Sequence, residues 1–246
     1  MRRVFALSLL IGLASSALAE EPAKTGGSNE GLEILKKTEA ALREVKTVSY
    51  RADYKATGWA TKSVPAVTGT AIMGKQSKNK IDPFSCEVKV APYGSKEVLE
   101  FSAGSDGDNY FLIDQKTKLC HQDMDPAVLG VQGNNIQRVL LREFSMPEPF
   151  GDILKSGKVE LKGTTTVGDE ECYELRMKPE GRPERIVAVS KKDFLPRRAT
   201  NINKNEQGEA ITELTLSNLV VNPTFMRSPF ELHCPDGFKQ TDDFAP

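Results

Sequence analysis

The sequence has little of what metal and nucleophilic chemistry need. Its 246 residues include two histidines, His121 and His233, and four cysteines. No serine lies in a G-x-S-x-G elbow, and no glycine-rich phosphate-binding loop occurs. Because nucleophilic catalysis needs a base beside the nucleophile, these absences favour a protein that is not an enzyme and has no cofactor.

One short segment has metal-binding residue types. His121, Asp123 and Asp125 fall on one face of a predicted strand, as in some metal sites. Asp125 precedes Pro126, however, and this pair is typical of a helix N-cap followed by proline at the first helical position. No second cluster of ligands completes the set, so we predict no metal site.

Charge of one sign is not in excess. The chain has 33 Lys and Arg against 34 Asp and Glu, which gives a net charge of −1. The basic residues are scattered, and aromatic residues are not interleaved with them as in nucleic-acid-binding surfaces. We therefore predict no nucleic-acid partner.

No apolar run reaches the about 20 residues that a membrane-spanning helix needs. The run 4–13 follows Arg2-Arg3 and precedes Ala17-Leu18-Ala19, and these are the three parts of a secretory signal peptide. We predict signal peptide 1–19, cleavage near Ala19, a flexible linker over 20–27, and a periplasmic or secreted product.

The four cysteines, Cys86, Cys120, Cys172 and Cys234, all follow the expected cleavage site. An even number in an oxidising compartment favours disulfides. Their wide spacing excludes C-x-x-C redox and zinc-ribbon motifs, but it does not choose among the three possible pairings. Since a chain of this length needs no cross-links to fold, buried free thiols are the alternative.

What the sequence does have is a long succession of short strands. Apolar and polar residues alternate with a period of two from residue 48 to 122 and again from 159 to 220. We expect a last edge strand over residues 228–238. Turn residues separate the segments, so the pattern predicts two antiparallel meanders.

Two regions have helical features instead. An amphipathic helix is predicted to begin at Ser28 or Asn29, with Leu32, Leu35 and Leu42 on its apolar face. Between 125 and 154 we predict short helices that interrupt the meanders.

The elements together predict a mainly β fold with a helical lid, of the α+β class. A large curved antiparallel sheet would form an unclosed half-barrel, whose concave face is covered by the N-terminal helix and the central helical insertion. We expect a single domain over 28–238 and a tail over 239–246. The pattern leaves open whether the apolar residues line a ligand cavity or fill a solid core.

Several segments, in order, resemble the periplasmic lipoprotein-carrier family, the LolA-like proteins with their LolB and RseB-type relatives. They are 41–50, 69–73, 108–114, 194–197, 218–222 and 230–238. The resemblance implies an unclosed β-barrel with a helical lid that binds acyl chains or hydrophobic peptide segments. The carrier's Arg-Pro pair after the second strand is replaced here by Gly74-Lys75-Gln76-Ser77, so a generic hydrophobe-binding role is expected.

We therefore predict a non-enzymatic exported carrier of a lipid or of the acyl chain of a lipoprotein. The second hypothesis is an RseB-type envelope sensor that recognises a protein partner or a lipid signal without transport. The expected partners are a lipid or acylated protein and an envelope membrane protein.

The predicted ligand-binding residues are apolar and aromatic, and their assignment to one face depends on the phase of each strand. They are Tyr50, Tyr54, Trp59, Ile72, Val88, Phe101, Phe111, Leu129, Ile136, Leu140, Phe150, Leu175, Ile186, Leu214 and Leu216.

Overall fold

The structure is a computed structural model that describes residues 27–75, 80–178, 181, 183–231 and 233–241. The predicted signal peptide, linker residues 20–26 and the tail beyond 241 lie outside the described residues. Within the described part, no helix is both long and apolar enough to cross a membrane.

The strands of the described residues form one twelve-stranded sheet. They are β1 (Thr47–Gly58), β2 (Ala66–Gly74), β3 (Phe84–Ala91), β4 (Leu99–Ser105), β5 (Tyr110–Asp114), β6 (Leu119–Asp123), β7 (Val159–Val167), β8 (Glu170–Met177), β9 (Glu184–Ser190), β10 (Pro196–Asn205), β11 (Gly208–Val221) and β12 (Lys239–Gln240). Their order is β12-β6-β5-β4-β3-β2-β1-β11-β10-β9-β8-β7. Two antiparallel meanders thus meet where β1 pairs with β11, and the prediction of an unclosed sheet is confirmed.

The period of two places one row of side chains on the concave face of each meander. Because directly paired residues share a face, the register aligns Tyr50, Ala71, Cys86, Ala103 and Leu112 in the first meander. In the second meander the row is Tyr54, Leu214, Ala199, Val187, Leu175 and Leu161.

Helices cover this face. They are α1 (Gly27–Glu44), α2 (Gly133–Val139) and α3 (Gly151–Ser156), with 3-10 segments at Trp59–Lys62, Pro126–Gln132 and Arg142–Phe144. A Cβ on Gly31 would lie 2.9 Å from the backbone nitrogen of Leu161, so glycine lets α1 approach β7 closely. We call residues 126–156 the lid. The lid begins as the sequence predicts, because the Asp125 side chain accepts a hydrogen bond from the Ala127 amide at 2.8 Å.

The predicted edge strand over residues 228–238 is wrong. The described residues of this segment are turns and irregular backbone, and the sheet instead gains β12, which pairs with β6 in parallel. Pro229 and Pro235 lack the amide that a sheet ladder needs. We call residues 222–241 the strap.

Two of the four cysteines form a disulfide and two are free thiols, so both predicted alternatives occur. Cys120 and Cys234 form a disulfide that joins β6 to the strap across 114 residues of sequence. Cys86 and Cys172 are buried free thiols, and burial raises the pKa of Cys86 to about 12.

Candidate functional site

A half-open groove of about 800 Å³ separates the lid from the concave face of the second meander. The sheet contributes Tyr54, Met177, Arg185, Ala199, Asn201 and Leu214. The lid contributes Gln137, Arg138, Leu140, Leu141, Arg142, Glu143, Met146, Pro149, Phe150, Asp152, Ile153 and Ser156, and Lys158 follows the lid.

Part of the same lid packs closely on the first meander. Its side chains Val128, Leu129, Ile136 and Val139 are at most 6% exposed and belong to the main hydrophobic core. A smaller cavity of about 350 Å³ lies farther along, where Leu99, Phe101 and Leu112 face Gln132.

A buried tyrosine hydroxyl holds the lid at the boundary between these two regions. The Tyr50 hydroxyl accepts a hydrogen bond from the Leu141 amide at 2.9 Å and lies 3.1 Å from the Val139 carbonyl and 3.0 Å from the Met73 sulfur. Its single proton is donated to one of these two acceptors. Burial raises the pKa of Tyr50, so the hydroxyl stays neutral and keeps that proton.

Over the groove, polar contacts hold the lid. Glu143 of the lid forms an ion pair with Arg185 at the start of β9. On the other side, the buried Glu39 carboxylate of α1 accepts a hydrogen bond from the Phe150 amide at 3.1 Å. The half of the lid over the groove is therefore held both by the buried rings of Phe144 and Phe150 and by these polar contacts.

The structure brings some of the predicted ligand-binding residues to the groove. Those that line it are Tyr54, Leu140, Phe150 and Leu214. Others share the concave side but are packed in the core: Tyr50, Val88, Phe101, Leu129, Ile136, Leu175 and Leu216.

Three predicted wall residues lie on the opposite, convex face. Ile72 pairs with Ser49, and Ile186 pairs with Thr200, both in rows that alternate with the buried concave ones. The phase chosen for these strands was therefore off by one residue.

Phe111 is the third predicted wall residue on the convex face, and there it is buried. It pairs with Gly104 on the convex face, where a Cβ on that glycine would collide with the Phe111 ring. Phe111 also lies beside the Cys120–Cys234 disulfide. The strap therefore supplies the apolar environment of Phe111 on the convex face. Trp59 is 36% exposed in a 3-10 turn and is not among the residues that line the groove.

Sequence reasoning missed the charged residues of the groove. Arg138, Arg142 and Glu143 flank the apolar residues 139–141 of the lid, and hydrophobic patterning carries no signal for charged wall residues. Within the described residues, no group of three or more His, Cys, Asp or Glu is placed to hold a metal ion.

The family model for a predicted periplasmic protein, DUF2092, matches residues 83–242, well over half of the chain. The protein belongs to this DUF2092 family. Comparison with curated proteins gives no sequence match.

Solved structures of similar fold include MucB, with a TM-score of 0.50 at 10% identity over 83% of this chain and 63% of that chain. MucB in the Pseudomonas aeruginosa MucA/MucB complex gives 0.48 at 11% identity over 83% and 61%. LprF from Mycobacterium bovis gives 0.49 at 12% identity over 83% and 99%. The DUF2092 chain thus spans less than two thirds of the MucB chains. The resemblance predicted from the sequence is confirmed at the level of the fold.

Proposed function

We propose that this protein is a non-enzymatic periplasmic carrier that holds a lipid, or the acyl chain of a lipoprotein, in the groove beneath the lid. The observation that carries the proposal is the unfilled space of about 800 Å³ between the lid and the concave face of the second meander. Ligand pockets typically measure about 300–1,000 Å³ and are mostly apolar with a few polar groups. In this proposal, cleavage near Ala19 releases the domain after export.

The apolar part of the lining favours an apolar occupant. Leu140 and Phe150 of the lid and Leu214 of the sheet are 7% exposed or less, and the small side chain of Ala199 leaves room between them. Burial of one methylene contributes about 0.8 kcal/mol, and a 1 µM complex corresponds to about 8 kcal/mol. A long acyl chain can therefore approach micromolar affinity with few specific polar contacts.

The proposal is tested by titrating the purified mature protein with a fluorescent fatty-acyl probe. We expect saturable binding that an unlabelled lipid reverses. Ala199→Phe fills the groove from the floor and should abolish binding, because the phenyl ring takes the volume of the chain.

The matched control is Thr215→Phe, which introduces the same side chain on the convex face of the adjacent strand, opposite Arg198. It should leave probe affinity unchanged. Absence of saturable binding to the wild-type protein would refute the carrier proposal, and equal loss in both variants would show a general effect on the fold.

A second candidate is a module that binds an envelope protein, as the RseB-type hypothesis states. The observation that favours it is a group of exposed apolar side chains outside the groove. Val220, Val221, Phe225 and Met226 are 49%, 36%, 37% and 104% exposed. In this case Phe225→Ser with Met226→Ser would weaken partner binding and leave the acyl probe unaffected.

A further inference from the structure

The groove has a local excess of positive charge. Four basic side chains line it, Arg138, Arg142, Lys158 and Arg185, against two acidic ones, Glu143 and Asp152. Over the whole sequence acidic residues exceed basic ones by one. The basic lining is therefore a property of this site and does not reflect the average composition.

Two of these four basic side chains already interact with other residues of the protein. Arg185 is paired with Glu143, and the Arg138 guanidinium donates to the Asn135 side chain and lies 5.9 Å from the centre of the Tyr54 ring. Arg142 and Lys158, in contrast, form no ion pair with any residue that the structure describes. These two cations are available to a ligand.

Arg185, although paired with Glu143, has one hydrogen-bond donor that is not used. The Nε–H of Arg185 is buried and has no acceptor among the described residues. Buried donors in proteins are nearly always paired, so this N–H is a position that an anionic oxygen in the groove would satisfy.

Apolar and basic residues occupy different parts of the lining. Leu140 and Phe150 of the lid and Leu214 of the sheet are buried, whereas Arg142 and Lys158 are exposed at the rim. Arg142 also lines an adjoining cavity of about 720 Å³, together with Gln137 and Leu140. This arrangement matches a molecule with one apolar end and one anionic end.

We propose that the groove binds a single-chain amphiphile with a carboxylate head, a long-chain fatty acid, with its chain on the floor and its head at Arg142. This rests on the proposed carrier function and names its ligand class. The planar guanidinium suits a carboxylate because two parallel N–H groups can donate to its two oxygens. The groove volume of about 800 Å³ lies within the range of pockets that hold one small ligand, and a single chain fits such a volume.

The test compares three ligands that share one chain: oleate, oleyl alcohol and oleylammonium, each below its aggregation concentration. Calorimetry of the mature protein should show oleate binding about tenfold more tightly than the alcohol, as one added charge-assisted hydrogen bond would give. The ammonium compound should bind most weakly. Raising the salt concentration should weaken oleate binding and leave alcohol binding nearly unchanged.

Arg142→Gln should remove most of the preference for oleate without changing the affinity for the alcohol. The matched control is Arg51→Gln, an exposed arginine on the convex face of β1, which should keep the preference. Equal affinity for oleate and alcohol in the wild-type protein would overturn this inference while leaving the carrier function intact. A preference that survives in Arg142→Gln would overturn the assignment of the head group, and absence of binding by all three ligands would refute the carrier function itself.

Discussion

The two halves of the concave face are built from the same kind of strand but are filled differently. Over the first meander, the lid inserts Ile136 and Val139, both fully buried, into the main core, beside separate cavities of about 350 and 720 Å³. Over the second meander, the lid spans a groove and contacts the sheet through the Glu143–Arg185 ion pair. One insertion therefore supplies both the core that stabilises the fold and the roof of a cavity.

The difference follows from the sequence of the lid. Residues 126–141 provide apolar side chains at short intervals, which fill the space above β2 to β5. Residues 142–156 contain charged residues and two prolines, Pro147 and Pro149, and form a 3-10 turn followed by one short helix. This segment buries Phe144 and Phe150 but exposes Arg142 and Asp152, and it covers the second meander only in part.

The largest expected effect is a loss of stability that differs between the packed half of the lid and the half over the groove. Ile136→Ala removes a fully buried side chain from the packed half and should lower the free energy of unfolding by about 2–5 kcal/mol. Leu140→Ala, which borders the groove, should cost less because a neighbouring space already exists. Urea denaturation measures both, and equal costs would argue against a difference in packing.

The disulfide should stabilise the first half without affecting the groove. The double variant Cys120→Ser with Cys234→Ser opens a loop of 114 residues and should lose about 2–4 kcal/mol. Acyl-probe affinity should be retained, because the strap lies on the convex face. Loss of probe binding under conditions where the variant is folded would show that the two halves are coupled.

Tyr50→Phe tests the boundary between them. The Leu141 amide would lose its buried acceptor, which should cost about 1–3 kcal/mol. Hydrogen exchange at Leu141 should become faster, while Tyr93→Phe, at a tyrosine that is 60% exposed, should change neither quantity. Unchanged exchange at Leu141 would mean that the hydroxyl does not hold the lid.

The smallest effect concerns the convex face of the second half. A hydrogen bond from Arg197 lowers the pKa of Glu170 from its ordinary value of 4.5. A lowered carboxyl pKa contributes stability above pH 4.5 that is lost as the pH falls through the folded value. The free energy of unfolding of Glu170→Gln should therefore fall less with pH below 4.5 than that of the wild type, and parallel pH profiles would contradict the assignment.

The sequence predicts most of the sheet because its alternation is local. The strands around Tyr50 and Leu214 are predicted correctly, because the residues of the buried face recur at every second position. The strap is not predicted correctly, because the Cys120–Cys234 bond positions it and that bond depends on tertiary proximity. Ile136 and Leu140 are alike as apolar lid residues, and only the structure shows that one fills a core and the other borders a cavity.

The central claim is that an acyl chain occupies the groove of the second meander. Methyl-resolved NMR of the protein with bound oleate tests it most directly, through intermolecular NOEs from the chain methylenes. We predict NOEs to the methyl groups of Leu140, Ile153 and Leu214, which line the groove. NOEs confined to Leu99 and Leu112, in the smaller cavity of the first meander, would contradict the account.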